Sequence, residues 1–337
     1  MSRSHVFLIT AALLHAQAYA HHSSSIYDMR HDVSIEGTIV RLAWANPHVY
    51  FWVEETSDGE RLIWEVEAPP PPVLRRLGWT QDTFGIGDAV TIGGKRGREP
   101  ARDILLMRSL EKPGSGLPVL GEEAFNSLAQ PDSERTAQAT GLDGTWLTLL
   151  NYEILASLSS PDNLPLTDAG KEASERFEEV DRQALSCTEH PPPIQMLSPD
   201  VKSIEVRDDV VIIRAEFDAT QRTVHLNEDS HEGAAEIDSV QGHSIGRWED
   251  DRTLVIDTVR IASQGASPAP SSSSETHLVE RLRLSEDRTH LLYSFEFEDP
   301  EHLTTPISGE GIQLMYRPDM EFEAVPCDIE NARRFAN

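Results

Sequence analysis

Lysine is scarce in this sequence. Only four of its 29 basic residues are lysines (Lys95, Lys112, Lys171 and Lys202), against 57 acidic residues, which leaves a formal net charge of −28. A surface so short of positive charge repels phosphate backbones and anionic headgroups, so nucleic acid and bare membrane are poor partners. The acidic excess reads first as a device for solubility. No apolar run approaches the roughly eighteen residues of a membrane span, and none is expected. Also missing are a phosphate-binding Walker loop, a dinucleotide fingerprint, paired CxxC motifs and an HExxH helix. Their absence lowers the odds of nucleotide, nicotinamide or zinc-protease chemistry. Cysteine is limited to Cys187 and Cys327. In an oxidising compartment such a pair, without CxxC spacing, reads as one structural disulfide. It would close a loop of about 140 residues, worth up to about 5 kcal/mol on the chain-entropy account.

What is present begins with an export signal. Arg3 gives a positive start, "VFLITAALL" is an apolar run too short to cross a bilayer, and "AYA" is a small-x-small cleavage pattern. Residues 1–20 are therefore expected to be a signal peptide, the mature protein to begin at His21, and its location to be periplasmic or secreted.

Beyond that segment the chain is patterned for β-structure, and the expected fold class is all-β with a few short helices. In residues 21–110, "VSIEGTIVRLAW", "HVYFWVEE" and "RLIWEVEA" are β-rich runs separated by turn signals. "PPPPVLRRLGW" then places prolines at a helix start and glycine at its end, and two further strands follow. Three strands, a helix and two strands is the order of an OB-like barrel. Residues 111–141 are rich in Gly, Pro and Ser and read as a linker, with a short helix at "GEEAFNSLA". Residues 142–337 open with "LDGTWLTLL" and a Thr-capped helical stretch, "TDAGKEASERFEEVDRQA". Almost everything after Cys187 alternates polar with apolar, with turns such as "EDDR" and "SEDR" between runs. About eight strands in up-and-down order predict a lipocalin-like antiparallel barrel.

"AHHSS…YD", "GTIVRLAWANPHVYFWV", "WEVE", "LRRLGW" and "GDAVTIGG" together resemble a family of small exported bacterial proteins of unknown function. The second half, with "GHSIGRWEDDRTLVIDT" and a late "CDIEN", resembles another secreted, functionally uncharacterised domain family. Both resemblances imply architecture and export, and neither implies a reaction.

Three clusters carry candidate chemistry. The first is the mature amino terminus: the α-amine and imidazole of His21 can chelate one copper ion, with His48 and His22 or His31 as candidates for a further imidazole, a donor set that suits Cu(II). The second is the run "TVHLNEDSHEGAAEIDSVQGHS", which gathers His225, His231, Asp238 and His243. Here His243 with Asp238 or His225 would act as acid and base, beside Trp248 and His231 as ligand-binding residues in the barrel mouth. The third, Gly242-His243-Ser244-Ile245-Gly246, spells a nucleophile elbow, but its surroundings alternate like a hairpin and lack the strand–turn–helix the elbow needs. The acidic turns and the tryptophans of the first barrel read as hairpin ends and core.

These features point to an exported binding protein whose larger barrel is expected to hold a small lipophilic molecule, with a candidate copper site at the amino terminus. Two other classes fit the same pattern: a cofactor-free lyase, isomerase or hydrolase working through His243, or an envelope interaction module with no small ligand.

Overall fold

A computed structural model describes residues 26–57, 60–99, 101–117, 119–121, 137–149, 154, 158, 161–176, 186–216, 219–237, 239–262 and 272–334. The expected signal peptide, His21, His22, Asp238, the helix expected at "GEEAFNSLA" and most of the loop 263–274 lie outside these residues.

The fold is all-β, with two closed barrels and a few short helices. The first barrel contains β1 (Tyr27–Ala43), β2 (Val49–Ser57), β3 (Glu60–Ala68), β4 (Ala89–Gly97) and β5 (Ile104–Glu111), in the spatial order β1-β2-β3-β5-β4. This is the OB order expected from the sequence. The helix α1 (Pro71–Arg76) has proline in its first turn, and Gly78 just beyond it adopts φ +85°, as the "PPPPVLRRLGW" pattern predicts. β1 begins earlier than its apolar run does, because Tyr27 already pairs with Gly97. The core contains Ile35, Ile39, Phe51, Trp64, Val66, Trp79, Ile92 and Leu105. Leu120 joins that core and pairs with Leu110, so the start of the polar stretch 111–141 packs on the first barrel. Its end packs on the second, where Ala139 and Leu142 are buried.

The second barrel is built from nine described strands: β6 (Gly144–Thr148), β7 (Val201–Val206), β8 (Val210–Ala215), β9 (Thr220–His225), β10 (His243–Trp248), β11 (Thr253–Val259), β12 (His277–Leu284), β13 (His290–Glu298) and β14 (Ile307–Tyr316). They lie in sequence order around the ring, with β14 closing on β6. The alternation read from the sequence is realised directly: Leu291, Tyr293, Phe295 and Phe297 of β13 are buried, while Leu292 and Ser294 between them are half-buried. One neighbouring pair departs from the antiparallel pattern: β9 and β10 run parallel, with Ser244 opposite Val224 and Ile245 opposite His225. Each antiparallel neighbour reverses strand direction, so a closed ring with an odd number of strands must contain a parallel pair. The five-stranded barrel obeys the same parity through its parallel β3–β5 pair.

The interior of the larger barrel holds an ion pair among its apolar side chains. Arg222 and Glu280 are each 1% exposed. The Arg222 guanidinium donates to both Glu280 carboxylate oxygens (3.1 and 2.5 Å), to Ser244 Oγ (2.9 Å) and to Thr258 Oγ1 (2.7 Å). Tyr293 donates its hydroxyl to Glu280 at 2.7 Å. The charges are thus paired and hydrogen-bonded, which is the condition under which buried charge is tolerated.

Two helices flank this barrel: α2 (Asp168–Arg176), capped by Thr167 Oγ1, which accepts from Gly170 N, and the buried α3 (Ile194–Leu197). The Cys187–Cys327 disulfide forms as predicted, and α4 (Ile329–Ala332) follows Cys327. The barrels also meet through Arg76 of α1, which pairs with buried Glu216. Among the described residues no helix is long and apolar enough to cross a membrane.

Two stability outcomes follow. Glu280→Ala alone should cost about 3–5 kcal/mol by stranding Arg222, whereas replacing both with apolar residues of similar volume should recover most of that loss in denaturant melts. Burial also pushes the Glu216 carboxyl up to about 7, against the opposing pull of Arg76. The folded chain therefore keeps a proton that the unfolded chain has released above its ordinary pKa of 4.5. The stability this group confers is present below that value and lost as pH rises through 7. Glu216→Gln should gain about 3 kcal/mol relative to wild type between pH 4.5 and 7, read from paired thermal melts.

Candidate functional site

The parallel closure of the larger barrel creates the site. A strand that is to lie parallel to its predecessor cannot follow a tight hairpin, so the chain crosses over between β9 and β10, with residues 226–237 and 239–242 described. Ser244 and Val224 face the interior, where Ser244 meets Arg222 and Val224 joins the core. Their neighbours His243 and His225 therefore face outwards, beneath the crossover. His243 was expected to line the barrel mouth; the period-two alternation puts it on the outer face instead. Its side chain is nevertheless only 10% exposed, because the crossover lies over it.

Histidine rings and carboxylates alternate along this outer face. His225 and His243 stack with centroids 5.3 Å apart, and His231, from the crossover, meets His243 edge-on at 5.0 Å. Glu228 bridges the stacked pair: its Oε1 is 3.2 Å from His225 Nδ1, and its Oε2 is 3.1 Å from His243 Nε2. On the other side, His231 Nδ1 is 2.8 Å from His243 Nδ1, and His231 Nε2 is 3.0 Å from Asp257 Oδ1. Asp257 Oδ1 also lies 3.0 Å from His277 Nε2. A cleft of about 230 Å³ opens beside this array, lined by His231, Asp257, Ile245, Val255 and Arg247 among others.

Three of these side chains can hold a metal ion. His225, Glu228 and His243 each offer one donor atom, and the three atoms lie within 4.8 Å of one another. Two imidazoles and one carboxylate form a donor set suited to first-row ions such as zinc and copper. Three links join Glu228, His243, His231 and Asp257 in series, and each needs one hydrogen. Two neutral imidazoles supply two, and the third link takes either an imidazolium proton or a cation in its place. With a cation held by His243 Nε2, His231 and Asp257 would stand behind that ring as the outer-shell partners that orient a ligating histidine.

The other residues singled out in the sequence are dispersed. Trp248 stands at the far end of β10, 41% exposed, away from His243. His48 belongs to the first barrel, where its Nδ1 donates to Ala68 O (3.2 Å) and its Nε2 lies 3.5 Å from Glu67 Oε1. Asp238, His21 and His22 lie outside the described residues. The G-x-S-x-G motif is structural: Ser244 Oγ is held inside the barrel by Arg222, and Gly242 turns the chain into β10 at φ +65°. A Cβ at Gly246 would come within 2.8 Å of Leu226 and Val224. Sequence reading passed over Glu228 and the pairing of Asp257 with His231. The only hint was the spacing of Glu228, three residues after His225.

Residues 10–105 match the Family of unknown function (DUF6152). The match takes in the described strands of the first barrel up to the start of β5, and none of the second. No curated protein matches the chain.

Burial holds the His243 imidazole below its ordinary value of 6.5, aided by the neighbouring histidines and opposed by Glu228. His243 should therefore titrate below that value in metal-free protein, followed by imidazole NMR shifts. Glu228→Gln, by removing the stabilising carboxylate, should lower its midpoint further.

Proposed function

We propose that this is an exported metal-binding protein whose larger barrel carries one divalent first-row transition-metal ion on His225, Glu228 and His243. The convergence of those three donors on the outer face, backed by the His231–Asp257 pair, carries the reading. The affinity order of first-row ions favours Cu(II) over Zn(II) at such a site. The disulfide fits an oxidising compartment and hence export. Metal carriage is preferred to carriage of a lipophilic molecule, because a guest in the barrel would have to share its interior with the Arg222–Glu280 pair.

A copper site at the amino terminus would use His48 as its ligand among the described residues. Tyr27 donates its hydroxyl to Glu67 Oε2 at 2.7 Å, next to His48. His21 is six residues before Tyr27, an extended reach of at most about 20 Å. A second reading is acid–base catalysis by His231 and Asp257, which share the cleft beside the metal ligands. It predicts turnover that survives metal removal.

Calorimetry of chelator-stripped protein should show one tight Cu(II) equivalent and weaker Zn(II). His243→Ala and His225→Ala should each abolish tight binding, and His231→Phe should weaken it about 10–100-fold. An unchanged isotherm in His243→Ala would remove the site. A tight equivalent that survives there but is lost in His48→Ala would place the metal on the first barrel.

A further inference from the structure

The outer face of the first barrel is covered by the end of the chain itself. Alternation along β2 sends Val49, Phe51 and Val53 into the core and Tyr50 and Trp52 outwards, yet these two aromatics are only 3% and 7% exposed. Part of the cover is a strap that follows the disulfide. Asn46, in the β1–β2 loop, pairs with Cys327: its N–H donates to Pro326 O (3.4 Å), and its carbonyl accepts from Asp328 N (2.9 Å). Its side chain donates to Val325 O at 2.7 Å. Beyond α4, the guanidinium of Arg334 lies 4.5 Å from the Trp52 ring centre and 5.3 Å from that of Tyr50. Arg41 approaches Trp52 at 4.2 Å, and Glu330 links the two arginines, at 3.3 Å from Arg41 and 3.0 Å from Arg334.

Arg334 fits this place imperfectly. Its Nε is buried without an acceptor. Its nearest approach to Glu65 Oε1 is 3.9 Å, beyond hydrogen-bond length. Glu65 is meanwhile held in position by the Trp52 indole N–H, which donates to the same oxygen at 2.8 Å. Two aromatic rings and a fixed carboxylate are thus arranged for a guanidinium, and the tethered one does not reach all of them. The surface also coincides with the place where OB folds bind their ligands, the face of the second and third strands and the loop before them. Tyr50 and Trp52 come from β2, Glu65 and Glu67 from β3, and Asn46 and His48 from the loop.

We infer that this face is a receptor for an arginine-bearing peptide segment of a partner protein, and that Arg334 is an internal occupant which the partner's arginine displaces. Arginine is specified over lysine because a planar guanidinium stacks on aromatic faces and presents a fork of donors to a carboxylate. The chain's net charge of −28 draws basic segments towards it. The tether makes Arg334 a strong competitor. It follows Cys327 by only seven residues, so its local concentration is on the order of millimolar. A lone guanidinium therefore loses to it, whereas a segment making several contacts can win. Displacement needs only the chain after Cys327 to peel away, and the disulfide stays closed.

The test uses the full chain and a synthetic peptide carrying three arginines, compared with its lysine counterpart, by calorimetry and tryptophan fluorescence. Arg334→Gln should bind the arginine peptide at least about tenfold more tightly than wild type, with the lysine peptide weaker, and Arg334→Lys should fall between. Adding Glu65→Gln to Arg334→Gln should abolish the gain. The inference fails if Arg334→Gln retains a wild-type near-ultraviolet spectrum and gains no affinity. It also fails if the two peptides bind equally, which would reduce the effect to attraction by an acidic surface. Should Arg334→Gln lose its native spectrum, Arg334→Lys decides alone: no gain in peptide affinity there overturns the inference.

Discussion

A closed ring of strands can be antiparallel throughout only if their number is even, and the larger barrel here has nine described strands. That constraint sets the location of its chemistry. One neighbouring pair must run parallel, and a parallel pair needs a connection that crosses back rather than a hairpin. The crossover falls between β9 and β10, where it carries Glu228 and His231 over the ends of two strands that contribute His225 and His243. With an even ring and a two-residue turn at this point, the four side chains would not be neighbours. Connections placed over a rigid sheet are where binding groups usually collect.

The two faces of β10 and β11 use polar residues in opposite ways. On the inner face, Ser244 and Thr258 complete the shell around Arg222 and Glu280, so the interior charges have fixed partners. On the outer face, His243 and Asp257 belong to a series joined through His231, with Glu228 at its other end. A fully satisfied network rigidifies a core and helps specify it. The same strands therefore brace the barrel from within and present the histidine–carboxylate array outside.

Between the barrels, charge and covalent linkage act together. The disulfide ties Cys327 to Cys187, and Asn46 grips Val325, Pro326 and Asp328 on either side of it. Arg76 reaches from α1 to Glu216 at the edge of the larger barrel. The first barrel's outer aromatics are consequently buried by a segment from the far end of the sequence, which makes occupancy of that face depend on the rest of the chain.

The sequence by itself determined the β-class, the OB strand order, the proline-led helix and the cysteine pairing. Each rests on local pattern: period-two alternation, turn residues, and a count of two thiols. It also marked the histidine-rich stretch 225–243 as chemically unusual. Only the tertiary structure decided which histidines meet and on which side of the wall. Facing depends on strand register, and the register of β10 is set by the parallel pairing with β9. The placement of Trp52 was likewise beyond local reading, since "VYFWV" is apolar on both faces and does not say what covers the outer one. Arg334 covers part of it from nearly three hundred residues away, a contact created by a disulfide and a loop, and by no periodicity in the chain.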